Sequence, residues 1–580
     1  MSEFLENMEE ENPNFANELP VPVYDLKKKI MGIADRLLDK SIDFDSISGS
    51  EMGTTVENNI PYMNKLIESV VFQAEREYLD GMKIYNEIDL KECILILNKI
   101  LIEGCTKLEN YHIRYLFIDE FQDTDDVQIE VFQRLQKAIN ADCKLFVVGD
   151  LKQSIYRFRG AKLSAFTKLK GNNSDGWDVH KLNINYRTDS RLLNLYDEIF
   201  KSMGSQGTLP YTYEKDRLSS EVCKEAKDEE LLVCVPCHAK DDDIRYETIM
   251  GIIKAEKIKL EKLMAHKELK KEERTIAVLV RNNWQVDSVL KAAEKDGGEL
   301  NIEIKTGGDL FQLESTIDFY KLVSALCNNT NPVYLANFIE SNYTDLILDY
   351  AKLRGLSETE TKKELVRVLD EFFELRMRKT WRKVVSEVYS QPVLFVLKQI
   401  YEALRPWKQY SKQFDGQKFY MSNYEYLLEK IIKFSRVDAL TLNQINVYLG
   451  INILTGQRQM ARTVEFDDKG IHIVCTTVHK SKGLEYATVI LPYTDDDIGN
   501  TNKVKLEANY LESKMSYVVQ FENKIRESNS NYCDPDEFNE QIAEESRILY
   551  VALTRAIKNC IWIKNIDDKS PISWGSILED

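Results

Sequence analysis

Apolar positions along this 580-residue chain fall into two patterns, short continuous runs and stretches with a helical period. Between residues 64 and 102, Ile67, Val70, Val71 and Ala74, then Ile94, Leu97 and Leu101, recur at helical spacing and predict helices. The run Tyr115–Ile118 is short, β-prone and unbroken, which predicts a strand buried on both faces of a parallel sheet. Val127, Val131, Phe132, Leu135 and Ala138 predict a helix behind it, with Thr124 or Asp125 as N-cap. Leu145–Val148 then reads as a second strand, ending in Gly149 and Asp150.

The same alternation continues downstream. Residues 231–238 read as an edge strand closed by Pro236, 245–269 as a charged amphipathic helix, and 275–281 as a buried strand. Phe319, Leu322, Val323 and Leu326 line one helical face, and 332–460 is mostly helical, punctuated at Gly355, Pro406 and Gly416. Strands return at 471–475, 488–491 and 559–563. The stretch 495–535 is polar and reads as an irregular surface excursion, and residues 1–60 as an acidic, poorly ordered start whose first helix covers Lys27–Leu38.

Composition narrows the class. A content of 43% hydrophobic residues over this length supports several cores, and so roughly three or four domains, in a soluble globular protein. The formal net charge of −18 argues against indiscriminate duplex binding but leaves room for a local basic or aromatic groove. The amino terminus is acidic where a signal peptide is basic, and no run of about 18 apolar residues exists, so a cytoplasmic protein without a membrane partner is expected. The ten cysteines are scattered, and Cys143, Cys327, Cys475 and Cys560 lie in or beside apolar runs, as reduced core thiols do. Cys234, Cys237 and His238 form a C-x-x-C-H string, which without an export signal reads as strand rather than haem attachment.

Candidate chemistry sits at the strand ends. Asp119 and Glu120 follow the Tyr115 strand, where parallel sheets bind ligands. Two acids there suit either a solvated turn or a pair in which one holds Mg²⁺ and its neighbour polarises water.

Longer strings carry a resemblance. Asp119-Glu-Phe-Gln-Asp-Thr124 and Val148-Gly-Asp-Leu-Lys-Gln-Ser-Ile-Tyr-Arg-Phe-Arg-Gly-Ala161 resemble motifs II and III of superfamily-one DNA helicases of the UvrD/RecB type, closest to the RecB/AddA branch. Leu182-Asn-Ile-Asn-Tyr-Arg187 resembles motif IV, Val474-Cys-Thr-Thr-Val-His-Lys-Ser-Lys-Gly-Leu-Glu485 motif V, and Glu544-Glu-Ser-Arg-Ile-Leu-Tyr-Val-Ala-Leu-Thr-Arg-Ala556 motif VI. Asn86-Glu-Ile-Asp-Leu90 is a further short match.

The resemblance implies an α/β fold of RecA-like motor domains, with parallel sheets of the P-loop NTPase type and a helical insertion. It divides the chain into an acidic start (1–60), an incomplete first RecA-like domain (61–180), the first part of a second (181–330), a helical insertion (331–460) and the rest of the second (461–580). It implies ATP and Mg²⁺ as cofactors and 3′-to-5′ movement on single-stranded DNA. Asp119 would hold Mg²⁺, Glu120 would orient and deprotonate water, and Gln153 would report the γ-phosphate. Arg187 and Arg555 would act as arginine fingers, where a lone arginine otherwise reads as a surface ion pair. Tyr186 would stack on adenine, with Glu485 and Gly483 on the ribose and phosphate side. Tyr156, Phe158, Arg159, Thr477 and His479 would meet the DNA, against core packing for the aromatics and a solvated loop for 479–482.

One departure changes the expectation. A phosphate loop has the form G-x-x-x-x-G-K-[ST], and no Gly-Lys dipeptide occurs in the chain. The family's nuclease domain after motif VI is not seen before Asp580 either. The chain thus reads as a carboxyl-terminal portion lacking motif I. It is either half of a split helicase completed by a partner chain that carries the phosphate loop, or a non-catalytic module binding nucleic acid or a partner, or a gene fragment. Repair, recombination and defence would all suit the family.

Overall fold

The computed structural model describes residues 19–579, apart from positions of one or two residues and the stretches 43–51, 74–76, 85–89, 105–112, 158–160, 162–164, 171–176, 221–230, 239–241, 296–299, 305–309, 435–439, 456–458, 463–469 and 500–505. The chain forms two compact units, Met1–Ile252 with Ser481–Asp580, and Ile253–Lys480. In chain order the first contains α1 (Val23–Asp39), α2 (Leu90–Ile102), β1 (Tyr115–Ile118), α3 (Asp126–Ile139), β2 (Lys144–Val147), α4 (Ala165–Lys170), β3 (Ile184–Asn185), α5 (Ser190–Ser205), β4 (Ser219–Ser220) and β5 (Leu232–Cys237). Helix α6 (Asp242–Met264) follows. The second unit holds β6 (Thr275–Val280), α7 (Asn283–Lys295), β7 (Ile302–Ile304), α8 (Glu314–Cys327), α9 (Pro332–Ile339), α10 (Glu358–Met377), α11 (Trp381–Ser390), α12 (Val393–Leu404), α13 (Phe414–Phe434), α14 (Leu442–Leu454) and β8 (His472–Thr477). The first unit closes with β9 (Tyr486–Leu491), β10 (Leu506–Leu511), β11 (Lys514–Gln520), β12 (Arg526–Ser528), α15 (Asp534–Leu553), β13 (Ala556–Asn565) and α16 (Trp574–Glu579).

Strands β1 and β2 pair in parallel with Tyr115 opposite Lys144 and Ile118 opposite Val147. Helix α3 starts where expected: Asp125 Oδ1 accepts the Gln128 N–H at 2.8 Å, and Gln128 Oε1 accepts the Asp125 N–H at 3.3 Å, a reciprocal cap. Ile118, Leu145 and Val147 face Phe121, Ile129, Ala165 and Leu169. The opposite face corrects the expected burial on both sides, because Tyr115, Phe117 and Phe146 are 56%, 67% and 51% exposed. Side chains alternate across a strand, so a helical layer on one face leaves every second residue open.

Strand β13 lies between β5 and β9, parallel to both. Within this set β5 is an edge, which accommodates Pro236 opposite Lys564. Cys234 is exposed and Cys237 buried, on opposite faces of one strand, so the C-x-x-C-H string is ordinary strand.

The stretch after Asp495 is also corrected. Instead of an irregular excursion, β10, β11 and β12 form an antiparallel sheet. Ala508, Met515, Tyr517 and Val519 pack on Leu26, Ile30, Ile33 and Leu37 of α1 and on Met63 and Ile67. The opening segment is therefore structured from Val23, four residues earlier than Lys27. Polar ties fasten the two ends: the Glu522 N–H donates to Asp25 Oδ2 (2.8 Å), and Asn529 Nδ2 donates to the Met52 carbonyl (2.7 Å).

In the second unit β8 pairs in parallel with β6 and with β7, and every residue of β6 and β8 is buried. A single helical core runs from Leu310 to Leu449 and includes Phe319, Leu369, Trp381, Leu397 and Leu427. Capping boxes start α10 at Ser357 and α14 at Thr441. Among the described residues no helix is long and apolar enough to cross a membrane.

Candidate functional site

The carboxyl ends of β1 and β2 are locked by one side chain. Gln122, buried, accepts the Asp150 N–H on Oε1 at 2.9 Å, donates Nε2 to Glu120 Oε2, and accepts the Ser154 hydroxyl on its own carbonyl at 3.0 Å. Gly149 makes room for this, since a Cβ there would lie 2.3 Å from Gln122 Oε1. Glu120 sits at φ 50°, ψ 38°, a left-handed conformation costing a non-glycine residue about 1–2 kcal/mol. Three bonds hold that turn: the Glu120 N–H to Asp119 Oδ1 (2.8 Å), Gln122 to the Glu120 carboxylate, and the Phe121 N–H to the Val148 carbonyl (2.8 Å). The carboxylate of Glu120 stays 55% exposed and Asp119 is exposed beside it.

Lys482 joins this turn to the far end of the sequence. Its ammonium donates to Asp123 Oδ2 and Oδ1 at 2.6 and 2.7 Å and to the Gln153 carbonyl at 2.8 Å, lies 3.7 Å from Glu120 Oε2, and is 5.2 Å from the centre of the Tyr156 ring. Next to it, Asp150 Oδ2 accepts from Gln153 Nε2 (3.2 Å) and from the Tyr550 hydroxyl (3.3 Å), while Lys152 Nζ lies 2.7 Å from Oδ1.

A second cluster forms around two guanidiniums. Arg187 donates Nε to Glu485 Oε2 at 2.5 Å and Nη1 to the Thr554 carbonyl at 3.5 Å. Arg555 is fully buried and donates to neutral oxygens: the Val551 carbonyl (3.0 Å), the Leu484 carbonyl (3.1 Å) and the Thr554 hydroxyl (3.2 Å). Burial pushes its pKa down to about 10, Arg187 adds to the fall, and the charge of Glu120 opposes it. The two clusters therefore lie within each other's electrostatic reach.

Most of the expected positions are brought together: Glu120 and Gln153 around Lys482, with Asp119 hydrogen-bonded to the Glu120 N–H, and Arg187, Glu485 and Arg555 in the second cluster. Tyr186 is 71% exposed, a ring with open faces. Gly483 has φ +80°, a conformation that favours glycine. Tyr156 is half-buried beneath the Lys482 ammonium. Thr477 ends β8 and is buried, and His479 lies in the next turn, both in the second unit. Phe158, Arg159 and residues 86–89 lie outside the described residues.

Sequence reasoning missed the residues that hold the site. Arg157 donates to both carboxylate oxygens of Glu537 (2.6 and 3.1 Å) and to Glu544 (3.1 Å), and buried Arg547 donates Nε to the Ser154 carbonyl at 2.7 Å. Asp123, Arg157 and Arg547 all lie inside the quoted motifs, which was the available signal.

The arrangement fits a magnesium–polyphosphate ligand. Asp119 engages one carboxylate oxygen with a backbone N–H and leaves the other without a hydrogen bond among the described residues. Mg²⁺ takes one or two carboxylates together with phosphate and water oxygens, so a lone acid suffices. Among the described residues no group of three or more His, Cys, Asp or Glu side chains could hold a metal by itself.

Comparison with known proteins agrees with this geometry. Residues 25–174 match the UvrD/REP helicase N-terminal domain, and residues 180–566, more than half of the chain, match the UvrD-like helicase C-terminal domain. The chain is 24% identical over 485 residues to the RecBCD enzyme subunit RecB of Buchnera aphidicola from Schizaphis graminum, covering 76% of this chain and 36% of that protein. It is 26% identical to an ATP-dependent helicase/nuclease subunit of Clostridium novyi, covering 96% of this chain and 49% of that protein. It is 24% identical to the probable DNA helicase II homolog of Mycoplasma pneumoniae, covering 92% of this chain and 66% of that protein. The chain thus spans between about a third and two thirds of the length of these relatives.

Proposed function

Because the chain belongs to the UvrD-like helicase family, we propose that it is the motor portion of an ATP-dependent helicase or translocase moving 3′ to 5′ on single-stranded DNA, with its phosphate loop supplied by another polypeptide. The observation that carries this reading is the pair of charged clusters in one unit: the exposed Glu120 carboxylate 3.7 Å from Lys482 Nζ, and the Arg187 and Arg555 guanidiniums, the second buried among neutral oxygens. That is the charge pattern phosphoryl transfer asks for, a base on one side and cations over the equatorial oxygens.

On this reading Asp119 holds Mg²⁺, which neutralises phosphate charge when bound. Glu120 orients a water and takes its proton, with the left-handed turn presenting its carboxylate to solvent. Gln153, anchored to Asp150, reports the γ-phosphate side. Arg187 and Arg555 stabilise the transferred charge, Tyr186 stacks on the base, and Glu485 and Gly483 border the ribose. Tyr156, Phe158, Arg159, Thr477 and His479 meet the single strand, each stacked base contributing about 1–3 kcal/mol. Residues 61–180 then form an incomplete first RecA-like domain, and 181–330 with 461–580 the second.

The test is ATP hydrolysis stimulated by single-stranded DNA, measured on the purified chain alone and mixed with the product of the adjacent upstream gene. Activity confined to the mixture and lost in Glu120→Gln supports the proposal. No activity in either, with DNA binding retained, leaves a binding module.

A further inference from the structure

Residues 150–157 have little regular structure of their own: one turn of 3-10 helix at Leu151–Gln153 is followed by residues 154–156, outside any helix or strand. Helix α15 supplies the support instead, through side chains that meet the loop in antiparallel order. The Tyr550 hydroxyl donates to Asp150 Oδ2 (3.3 Å), Arg547 Nε donates to the Ser154 carbonyl (2.7 Å), and Arg157 donates to Glu544 (3.1 Å) and to both oxygens of Glu537 (2.6 and 3.1 Å). Fixing an irregular stretch costs conformational entropy, which ties of this kind must offset. Arg157 is the last of them and the sequence neighbour of Tyr156. The two neighbours are engaged by different partners: the Tyr156 ring by the Lys482 ammonium, 5.2 Å from its centre, and the Arg157 guanidinium by two carboxylates about two turns apart on α15.

We propose that Arg157 is a positioning residue, whose clamp on α15 fixes the pose in which the Tyr156 ring meets Lys482 and is presented to single-stranded DNA. The inference rests on the proposed role of Tyr156 and adds what sets its geometry. The chemistry favours arginine here, because a planar fork engages two carboxylates at once where a lysine ammonium offers a single point charge. All three partners of the clamp are largely buried, so breaking it leaves charges without partners at low exposure. Burial works against the charge of Arg157, yet Glu537 and Glu544 hold its pKa above the ordinary arginine value. A third carboxylate, Glu507, lies within electrostatic reach of Arg157, and it is satisfied separately: Lys40 Nζ sits 2.5 Å from Glu507 Oε1 and donates to the Ala508 carbonyl at 2.7 Å. The Arg157 fork is thus engaged with the helix that also carries Arg547 and Tyr550, and the loop is held between α15 and Lys482.

The experiment replaces Tyr156 of the full chain by fluorotyrosine and follows its fluorine resonance, with Lys482→Met showing what loss of the ammonium contact does to the signal. Expected in Arg157→Gln and in Glu537→Gln is a resonance displaced from its wild-type position or split in two. Glu537→Gln keeps the side-chain shape and one acceptor oxygen, so it decides the matter where Arg157→Gln does not fold; circular dichroism of each variant monitors this. Asn529→Ala, which removes bonds to the Met52 and Met515 carbonyls in the same unit, should lower the melting temperature and leave the resonance in place. A resonance unmoved in the clamp variants, or displaced equally in Asn529→Ala, overturns the proposal. With a single strand of DNA carrying a fluorescent aminopurine, the clamp variants should bind at least about fivefold more weakly than wild type, the lower end of what one stacked base contributes. Where Tyr156→Ala weakens that binding and the clamp variants do not, the proposal is overturned. Where Tyr156→Ala itself leaves binding unchanged while the resonance moves as expected, the proposed DNA role of Tyr156 is refuted and the clamp stands.

Discussion

Lys482 and Asp123, 359 residues apart, meet with both carboxylate oxygens within 2.7 Å of one buried ammonium. Removing either partner strands the other at low solvent exposure. Asp123→Asn and Lys482→Met should each destabilise the first unit by about 2–4 kcal/mol, with a coupling energy of at least about 1.5 kcal/mol in the double mutant. Calorimetry of the four proteins checks this. Additive effects would mean that the pair is not coupled.

Gly149→Ala should act through Gln122. The added methyl would overlap the Gln122 amide and approach the Gln122 and Phe121 backbone nitrogens at 3.1 Å, so the tie between the two strand ends must give. We expect a loss of about 1–3 kcal/mol, in the range of overpacking. Slower DNA-stimulated hydrolysis in the reconstituted mixture should accompany it. Unchanged melting and unchanged rate would show that the turn is softer than its geometry.

Arg555 should make the fold responsive to polyanions. Its folded pKa of about 10 lies below the usual arginine value, so folding disfavours the charged form. This cost is fully present at every pH below about 10 and fades only between there and the ordinary value, so it operates at neutral pH. A phosphate group brought close relieves it. Pyrophosphate should raise the melting temperature of the wild type at pH 7.5, and the rise should shrink in Arg555→Met. An equal rise in both would exclude Arg555 from the anion site.

Asp318 offers a pH test confined to the helical body. It is buried in α8 and accepts from Asn342 Nδ2 (2.7 Å) and the Tyr420 hydroxyl (3.0 Å), yet burial still raises its pKa. Lys321 Nζ, at 4.0 Å, is the charged group facing it. With the folded pKa above the unfolded one, the folded state binds more protons, so stability falls as pH rises through the range just above 3.8. Asp318→Asn should therefore stabilise the protein at pH 7 relative to wild type and lose that advantage on acidification. Thermal melts at both ends of the range decide it.

Much of the architecture was legible because local chemistry specified it. Asp125 and Gln128 announce their cap, the β-branched and apolar residues of 275–280 announce a fully buried strand, and Pro236 announces an edge. The open face of β1 was not legible. Tyr115, Leu116, Phe117 and Ile118 are apolar at every position, and a continuous run says nothing about which face lacks a cover. The β10–β11 hairpin carried a readable alternation, Leu506, Ala508 and Tyr510 against Glu507 and Asn509, but its polar flanks masked it. Pairings such as Lys482 with Asp123 and Arg157 with Glu537 leave no trace in any local window, since each depends on segments hundreds of residues apart.

Helix α1 buries its apolar stripe against strands that are synthesised long after it. Leu26, Ile30 and Ile33 acquire Met515, Tyr517 and Val519 as neighbours only after nearly five hundred further residues have been translated, roughly half a minute to more than a minute at about 5–20 residues per second. Throughout that interval an amphipathic helix waits on the nascent chain without its seat. Helix α1 is thus a natural client for chaperones during synthesis, and yield should depend on elongation rate more steeply than melting temperature does.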